Sequence, residues 1–514
     1  MLILSLGSEY FHQAFRQMGH SVLVPPHQEG FRLDDVFNSL QDRPDLIVFT
    51  DHLGQHAFPD GLTSIYGIPK VYYAVDSPIN FWWQKRFAKL FDYVFVDQKP
   101  FAQALAADGL NAQWLPVGVD VQSYSPAPAE NRSQLYDFGF VGVLDPARRP
   151  KRSRLVEALS GRWTLKTAGN RQAGWLDPAE SGQLYRQSRL ALNESLFPGV
   201  TMRMLEAMAS GAVLFTERAG GDLGELFKPG EDFAWFEPDE LMSAAERWLG
   251  DANRRKRTAK RALEKVAAAH DVRHRAETLL AAVRNLRYGQ ALVDQEAWEQ
   301  EGQTMFLTAL RWPAEAGQAR MSRAEKLLSK ADEAKILSPE GLFMLGHIHR
   351  MRRRLEPAVD ALTRALEQGE PRGALGLGIL KLGLGQQAEA RQWLDRFLEK
   401  FGPGPELTPN TLPFETVKLI AKRLTELGHE MNPGFSRLAH DPAIWTAFEY
   451  LQSAFNSRSD DLETARTMAE LLLRHGAAAE AQEAAQKGLE SHPDDEILGG
   501  VYAQASRASY VTVN

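Results

Sequence analysis

The chain contains no cysteine. That absence excludes disulfides, thiolate zinc sites and cysteine nucleophiles together. Long apolar runs are missing as well, since none approaches the roughly 18 residues that a membrane-spanning helix needs. There is no basic excess: the formal net charge is −7 and the pI is about 6.1. Such a balance speaks against nucleic acid or an anionic membrane surface as the main partner. No Asp-x-Asp is present, the histidines lack ligand spacing, and Gly-x-Ser-x-Gly is absent. We therefore expect neither a bound metal nor serine-hydrolase chemistry. The apolar opening Met1–Gly7 has no basic stretch before it and stops at Gly7, so it reads as a first buried strand and not as a signal peptide. A cytoplasmic protein is expected.

What is present suits a large globular chain. Its 514 residues, 44% hydrophobic and 24% charged, give room for about three domains. Short apolar runs alternate with helical patterns over the first part, the mark of parallel sheets covered by helices. Expected strands are 2–6, 21–24, 46–50, 70–74, 93–96 and 113–115, with helices such as 9–18 and 99–107 between them. Pro126-Ala127-Pro128-Ala129 reads as a linker. A second unit of the same kind follows, with strands at 138–141, 163–167, 189–193, 212–216 and 233–236, and one long helix from about 257 to 285 closes it. Beyond about residue 295 only helices are expected. Ala324, Leu328 and Ala331 recur 34 positions later as Ala358, Leu362 and Ala365. Leu345-Gly346 recurs as Leu377-Gly378, and Ala358, Leu362 and Leu366 recur as Ala390, Leu394 and Leu398, each 32 positions on. That is the signature of a helical repeat, interrupted by the Pro/Gly-rich 402–413. The expected fold is α/β, two Rossmann-like domains at 1–128 and 129–290, followed by an all-α repeat domain at 291–514.

The most informative segment runs from Gly199 through Val200, Thr201, Arg203 and Glu206 to Ser210-Gly211 and a following strand. It reads as a loop opening a helix. Such a loop presents unpaired N–H groups and the positive end of the helix dipole, which suits a phosphate. Arg203 and Glu206 are three apart and share a helical face, the first suited to a diphosphate and the second to ribose hydroxyls. Asn193, ending a strand, is placed either to touch a nucleotide or to close a turn. Gly142 also ends a strand and is followed by Arg148, Arg149, Lys151, Arg152 and Arg154. Most of that cluster reads as solvated surface, with Arg152 the candidate for diphosphate.

On the other side of the expected cleft, Gly7-Ser8 lies between strand and helix. Thr50-Asp51-His52 and Ala74-Val75-Asp76 end two further strands. His52 or Asp76 is suited to act as general base on a hydroxyl, while capping of the next helix is the alternative for Asp76. Phe81-Trp82-Trp83 reads first as core.

These marks resemble the GT-B glycosyltransferases of the CgeB-like, glycosyltransferase group 1 type. The resemblance rests on Tyr73-Ala74-Val75-Asp76-Ser77-Pro78, Trp114-Leu115-Pro116 with Gly118-Val119-Asp120, Phe138-Gly139-Phe140-Val141-Gly142, the Arg203/Glu206 helix, His270-Asp271 and Arg275-Ala276-Glu277. It implies a glycosyltransferase whose donor is a nucleotide-diphosphate sugar, held by Gly142, Arg152, Asn193, Gly199, Val200, Thr201, Arg203 and Glu206 without a metal or other cofactor. Many retaining relatives carry a second glutamate eight positions before the one matched by Glu206. Here that position is Pro198, so the stereochemistry of transfer stays open. The repeats resemble the tetratricopeptide type, which implies a protein or peptide acceptor such as a flagellar or surface protein. Two alternatives remain: a scaffold with an inactive GT-B half, and an epimerase acting on the nucleotide sugar.

Overall fold

The computed structural model describes residues 1–51, 56–124, 134–145, 149–169, 176–194, 199–217, 222–237, 240–284, 291–311, 315–431, 442–475 and 477–509. The first sheet is built from β1 (Leu2–Gly7), β2 (Ser21–Leu23), β3 (Leu46–Thr50), β4 (Lys70–Ala74), β5 (Tyr93–Val96) and β6 (Ala112–Trp114). The second contains β7 (Tyr136–Val141), β8 (Leu165–Ala168), β9 (Ser188–Asn193), β10 (Val213–Glu217) and β11 (Ala234–Phe236). Every strand expected from the sequence is there, with ends shifted by no more than two residues. All neighbours pair in parallel, in the orders β2-β1-β3-β4-β5-β6 and β11-β10-β9-β7-β8. β3 and β4 are buried along their whole length, because helices cover both faces of a parallel sheet and leave no polar side. Trp83 and Phe87, on the helix Ser77–Phe87, supply part of that cover.

Each sheet has one place where the strand order reverses, between β1 and β3 in the first and between β7 and β9 in the second. Loops leaving adjacent strands there diverge to opposite faces and open a crevice at the carboxyl ends, where open α/β sheets bind ligands.

The single closing helix expected at 257–285 is two helices, Ala252–Ala269 and Val272–Arg284. Backbone pairing breaks it: Val119 N donates to His270 O (3.0 Å) and Val272 N donates to Val119 O (3.0 Å). Arg275 secures the break by donating to Pro116 O (2.6 Å) and Ala269 O (2.9 Å). The first of these helices packs beneath the second sheet, with Ala262 and Val266 in its core. The other crosses back to the first sheet, where Ala276, Leu279 and Leu280 join Ile3, Phe15 and Val48. The expected linker at 126–129 lies outside the described residues.

The remainder is helical. Residues 402–413 break the helices as expected, and the repeat has a structural counterpart. A Cβ on Gly346 would lie 2.7 Å from Leu362, and one on Gly378 would lie 2.7 Å from Leu394. The same close helix crossing thus recurs 32 positions on. This array is not merely appended. Met305, Phe306, Ala324, Leu328 and Leu342 share one continuous core with Leu4, Phe49 and Tyr72 of the first sheet and Trp83 of the helix that covers it. Polar contacts reinforce it: Arg320, 2% exposed, pairs with Glu29 at 2.8 Å, Arg323 donates to Pro59 O at 2.6 Å, and Arg86 pairs with Glu340 at 2.8 Å. Among the described residues, no helix is long and apolar enough to cross a membrane.

Removal of the array would bare this shared core and strand Glu29 beside an empty apolar surface. A chain ended after Arg287 is therefore expected to lose the cooperative folding of its first sheet, which an urea-unfolding transition followed by tryptophan fluorescence would report. A truncated chain with an unchanged midpoint and slope would contradict the integral packing of the array.

Candidate functional site

At the reversal between β7 and β9, Arg203 spans both strands. Its Nε donates to Val141 O at 2.7 Å, and its Nη1 to Asn193 Oδ1 at 3.2 Å and Glu194 O at 3.3 Å. The helix Met202–Ala209 carries the guanidinium there, and the Phe140 ring lies 4.8 Å below it. Three acceptors consume Nε and Nη1. Nη2 has no partner among the described residues and lies beside Gly142. A Cβ on Gly142 would stand 2.6 Å from Nη2, and the backbone φ of +152° disfavours any side chain. Gly142 is thus a glycine because the arginine occupies the space its side chain would need.

Arg152 lies over the same ring, at 5.4 Å. It is buried, donating from Nε to Glu194 Oε2 (2.8 Å) and from Nη1 to Val143 O (3.0 Å). Burial, followed by the neighbouring charge of Arg203, lowers its pKa to about 10, and Glu194 opposes the fall. The helix Pro150–Ser160 turns Arg152, the diphosphate candidate of its basic cluster, inward against Phe140 and Glu194. Glu194, which follows the end of β9, is 3% exposed. Two guanidiniums and one carboxylate leave a net positive charge, and the adjacent Lys151–Glu217 pair (2.7 Å) adds none.

Asn193 is fully buried. It accepts from Arg203 and donates to Thr216 Oγ1 at 3.1 Å, so it holds the arginine in place. Gly199 has φ +148°, and a Cβ there would fall 1.8 Å from Gln98 Oε1 of the first half. Val200 is buried, and its carbonyl accepts from Gln98 Nε2 at 3.2 Å. Thr201 stands at the N-cap without a capping bond, its buried hydroxyl lacking a partner. Glu206 accepts from Tyr124 OH through Oε1 at 3.0 Å, and Oε2 has no partner among the described residues. Burial raises its pKa, against the pull of Tyr124 and Arg203.

On the facing side, Asp76 occupies the N-cap position of the helix Ser77–Phe87, yet its side chain makes no capping bond. Its backbone is left-handed, φ 54° and ψ 38°, a conformation that a non-glycine residue holds only when its surroundings impose it. Two buried carboxylates impose it. Asp97 Oδ2 accepts from Asp76 N at 2.9 Å, and Asp51 Oδ2 accepts from Val75 N at 3.2 Å. Asp51 also takes Tyr72 OH (2.8 Å) and Gln84 Nε2 (2.6 Å) and lies 3.9 Å from His56 Nδ1. The Asp76 carboxylate opens to solvent within a cleft. Surrounding protein raises its pKa, and Arg149 from the second half lowers it. Burial raises Asp51 to about 8, and burial followed by the charge of Asp76 raises Asp97 to about 7. His52, like Pro198, lies outside the described residues. Among the described residues, no three His, Asp or Glu side chains come together as a metal site.

Residues 137–281 match the glycosyl transferase-like family. That glycosyl transferase-like segment contains the whole β7/β9 crevice. No curated protein matches the chain. Solved structures that resemble it include sucrose-phosphate synthase from Thermosynechococcus elongatus, at 14% identity, covering 55% of this chain and 98% of that one with a TM-score of 0.42. The Anabaena protein HepE, solved with UDP-glucose, is 18% identical, with 56% and 100% covered and a TM-score of 0.42. The C-terminal domain of a group 1 glycosyl transferase from Francisella tularensis is 22% identical, with 30% and 99% covered and a TM-score of 0.25.

The buried carboxylates carry a pH signature. Asp51 binds its proton more tightly folded (about 8) than at its ordinary 3.8. Between these values the folded state holds more protons, so stability falls as pH rises. The unfolding midpoint is expected to drop from about pH 4 to about pH 8, and Asp51→Asn to flatten that slope. A slope unaltered by Asp51→Asn would refute the assignment.

Proposed function

We propose that the chain is a GT-B glycosyltransferase of the CgeB-like type, moving a sugar from a nucleotide-diphosphate sugar to an acceptor hydroxyl. One observation carries the reading: Arg203 is fixed across the β7/β9 crevice with Nη2 unspent, inside the segment that matches the glycosyl transferase-like family. As the bond between the anomeric carbon and the diphosphate breaks, negative charge gathers on the departing phosphate oxygens. Arg203 Nη2, the Thr201 hydroxyl and the N-terminus of the helix Met202–Ala209 meet that charge in a site already organised for it. Gly142 makes room for the Arg203 guanidinium and Gly199 for the Gln98 amide beside the diphosphate site, Arg152 and Asn193 support the arginine, and Glu206 Oε2 accepts from the ribose. Asp76 takes the acceptor proton. Its imposed turn aims it into the cleft, and its raised pKa makes it a stronger base than an ordinary carboxylate. His52 is the second candidate for that role.

The proposed division is 1–128 for the acceptor side, 129–290 for the donor side and 291–514 for a tetratricopeptide-like array that offers a protein or peptide acceptor to the cleft in the cytoplasm. A second reading, a scaffold whose GT-B half is inactive, draws support from the buried Arg152–Glu194 pair, in which both charges are already spent. Release of free sugar from a panel of nucleotide-diphosphate sugars separates the two readings, and a changed sugar still bound to its nucleotide would mark an epimerase.

Nucleoside diphosphates are expected to raise the melting temperature of the wild type by selective binding to the folded state. Arg203→Ala is expected to weaken that binding by about 1.5–3 kcal/mol, the range for a hydrogen bond to a charged group. An equal thermal shift in both proteins would displace the site. The charge on the diphosphate is met by arginine and helix dipole, so turnover is expected to survive EDTA. Loss of activity on chelation, restored by magnesium or manganese, would overturn the metal-independent mechanism.

A further inference from the structure

β5 ends at Val96, and the next three residues, Asp97-Gln98-Lys99, make contacts in three directions. Asp97, 3% exposed, accepts the backbone N–H of Asp76 (2.9 Å) and that of Ser77 (3.5 Å). Gln98, 7% exposed, reaches into the second half, where Nε2 donates to Val200 O at 3.2 Å. Its Oε1 has no hydrogen-bond partner and fills the space where Gly199 would carry a side chain. Lys99 opens the helix Lys99–Ala107, and its N–H is bonded by Asp222 Oδ2 of the second half at 3.1 Å. Its Nζ pairs with Glu225 at 2.6 Å.

The capping arrangement explains the sequence. Gln98 stands at the N-cap of that helix but does not cap it, because its side chain is turned onto the Gly199-Val200 loop. An aspartate from the other half caps in its place. A helix start that needs a residue from the opposite half forms fully only when the two halves are together.

We propose that Asp97-Gln98-Lys99 couples the donor loop to the turn bearing Asp76, with Gln98 positioning Gly199-Val200 and Asp97 positioning Asp76. Neither residue touches a reacting atom. One backbone step separates the two anchors, so the distance between the donor loop and the carboxylate is set by a single short segment. This inference rests on the glycosyltransferase reading above.

The two anchors are expected to separate in kinetics. Gln98→Ala weakens binding of UDP, GDP or ADP, whichever the wild type binds, about tenfold through loss of a buried hydrogen bond. It raises the donor KM correspondingly and changes kcat less. Asp97→Asn, which retains one acceptor for two N–H groups, leaves nucleoside-diphosphate binding unchanged and lowers kcat about tenfold or more. Gly199→Ala supplies a readout independent of turnover. It lowers the melting temperature by more in the wild type than in Gln98→Ala, because the clash with the Gln98 amide is then gone and only the backbone strain remains. Gln98→Ala that binds the diphosphate like a binding wild type would overturn the coupling and leave the glycosyltransferase reading intact. So would equal loss of binding and kcat in both variants, or Gly199→Ala effects that simply add. A wild type that binds none of the diphosphates would remove the donor site itself, and the coupling with it.

Discussion

The candidate site depends on the bridge that Arg203 makes between the ends of β7 and β9. Parallel strands diverge at their carboxyl ends once the order reverses, and nothing in the sheet itself holds the two exits at a fixed spacing. The guanidinium does so with rigid, planar donors on Val141, Asn193 and Glu194. Several neighbouring identities follow from it. Gly142 lacks a side chain because Nη2 fills that space. Asn193 is an asparagine because its amide joins the arginine on one side to Thr216 on the other. Phe140 offers a π face to two cations whose mutual repulsion Glu194 offsets. A lysine at position 203 would keep the charge and lose the bridge.

Much of the architecture was legible because β-branched and aromatic runs between helical patterns report burial directly. All strands, the loop-to-helix segment at 199–209 and the interruption at 402–413 could be read in this way. The site was legible where a residue type is unusual for its place, as with Gly142, Arg203 and Asp76. It was not legible where the deciding contact is distant in sequence. Arg152 reads as the diphosphate candidate among several surface cations, and only packing on Phe140 and Glu194 shows it buried. Asn193 reads as exposed at a strand end, and the arginine ten residues on covers it. Glu206 pairs with Tyr124, and Gly199 meets Gln98, across separations that no local pattern encodes. The break at His270-Asp271 was missed for the same reason: a helical period continues through it, and the bonds that break it come from Val119.

The array raises a related point about domain boundaries. The composition changes sharply near residue 291, from alternating strands to helices alone, and that change marks a change of architecture. It does not mark an independent core. Arg320, Arg323 and Glu301 lie in helices of the array, yet their partners Glu29, Phe58 and Thr63 belong to the first α/β unit. The buried Arg320–Glu29 ion pair is costly to separate, because each partner left behind is an uncompensated charge. The first array helices are thus part of the wall of the first unit. The later hairpins have a core of their own.

The clasp at Val119 has a further, mechanical consequence. Leu115 belongs to the core of the first half and Val117 to that of the second, while Val266 and Val272 make the opposite passage. The chain therefore crosses between halves twice, and the two crossings are stitched together by the backbone bonds of Val119 and the guanidinium of Arg275. Two strands joined at one point act as a single pivot. They permit rotation about that point and resist sliding of one half past the other. The contacts of Gln98 and Lys99 lie beside that pivot, since Val96 pairs with Trp114 and Asp97 O accepts from Trp114 Nε1 at 3.2 Å, so they brace the two halves close to the point about which they would turn.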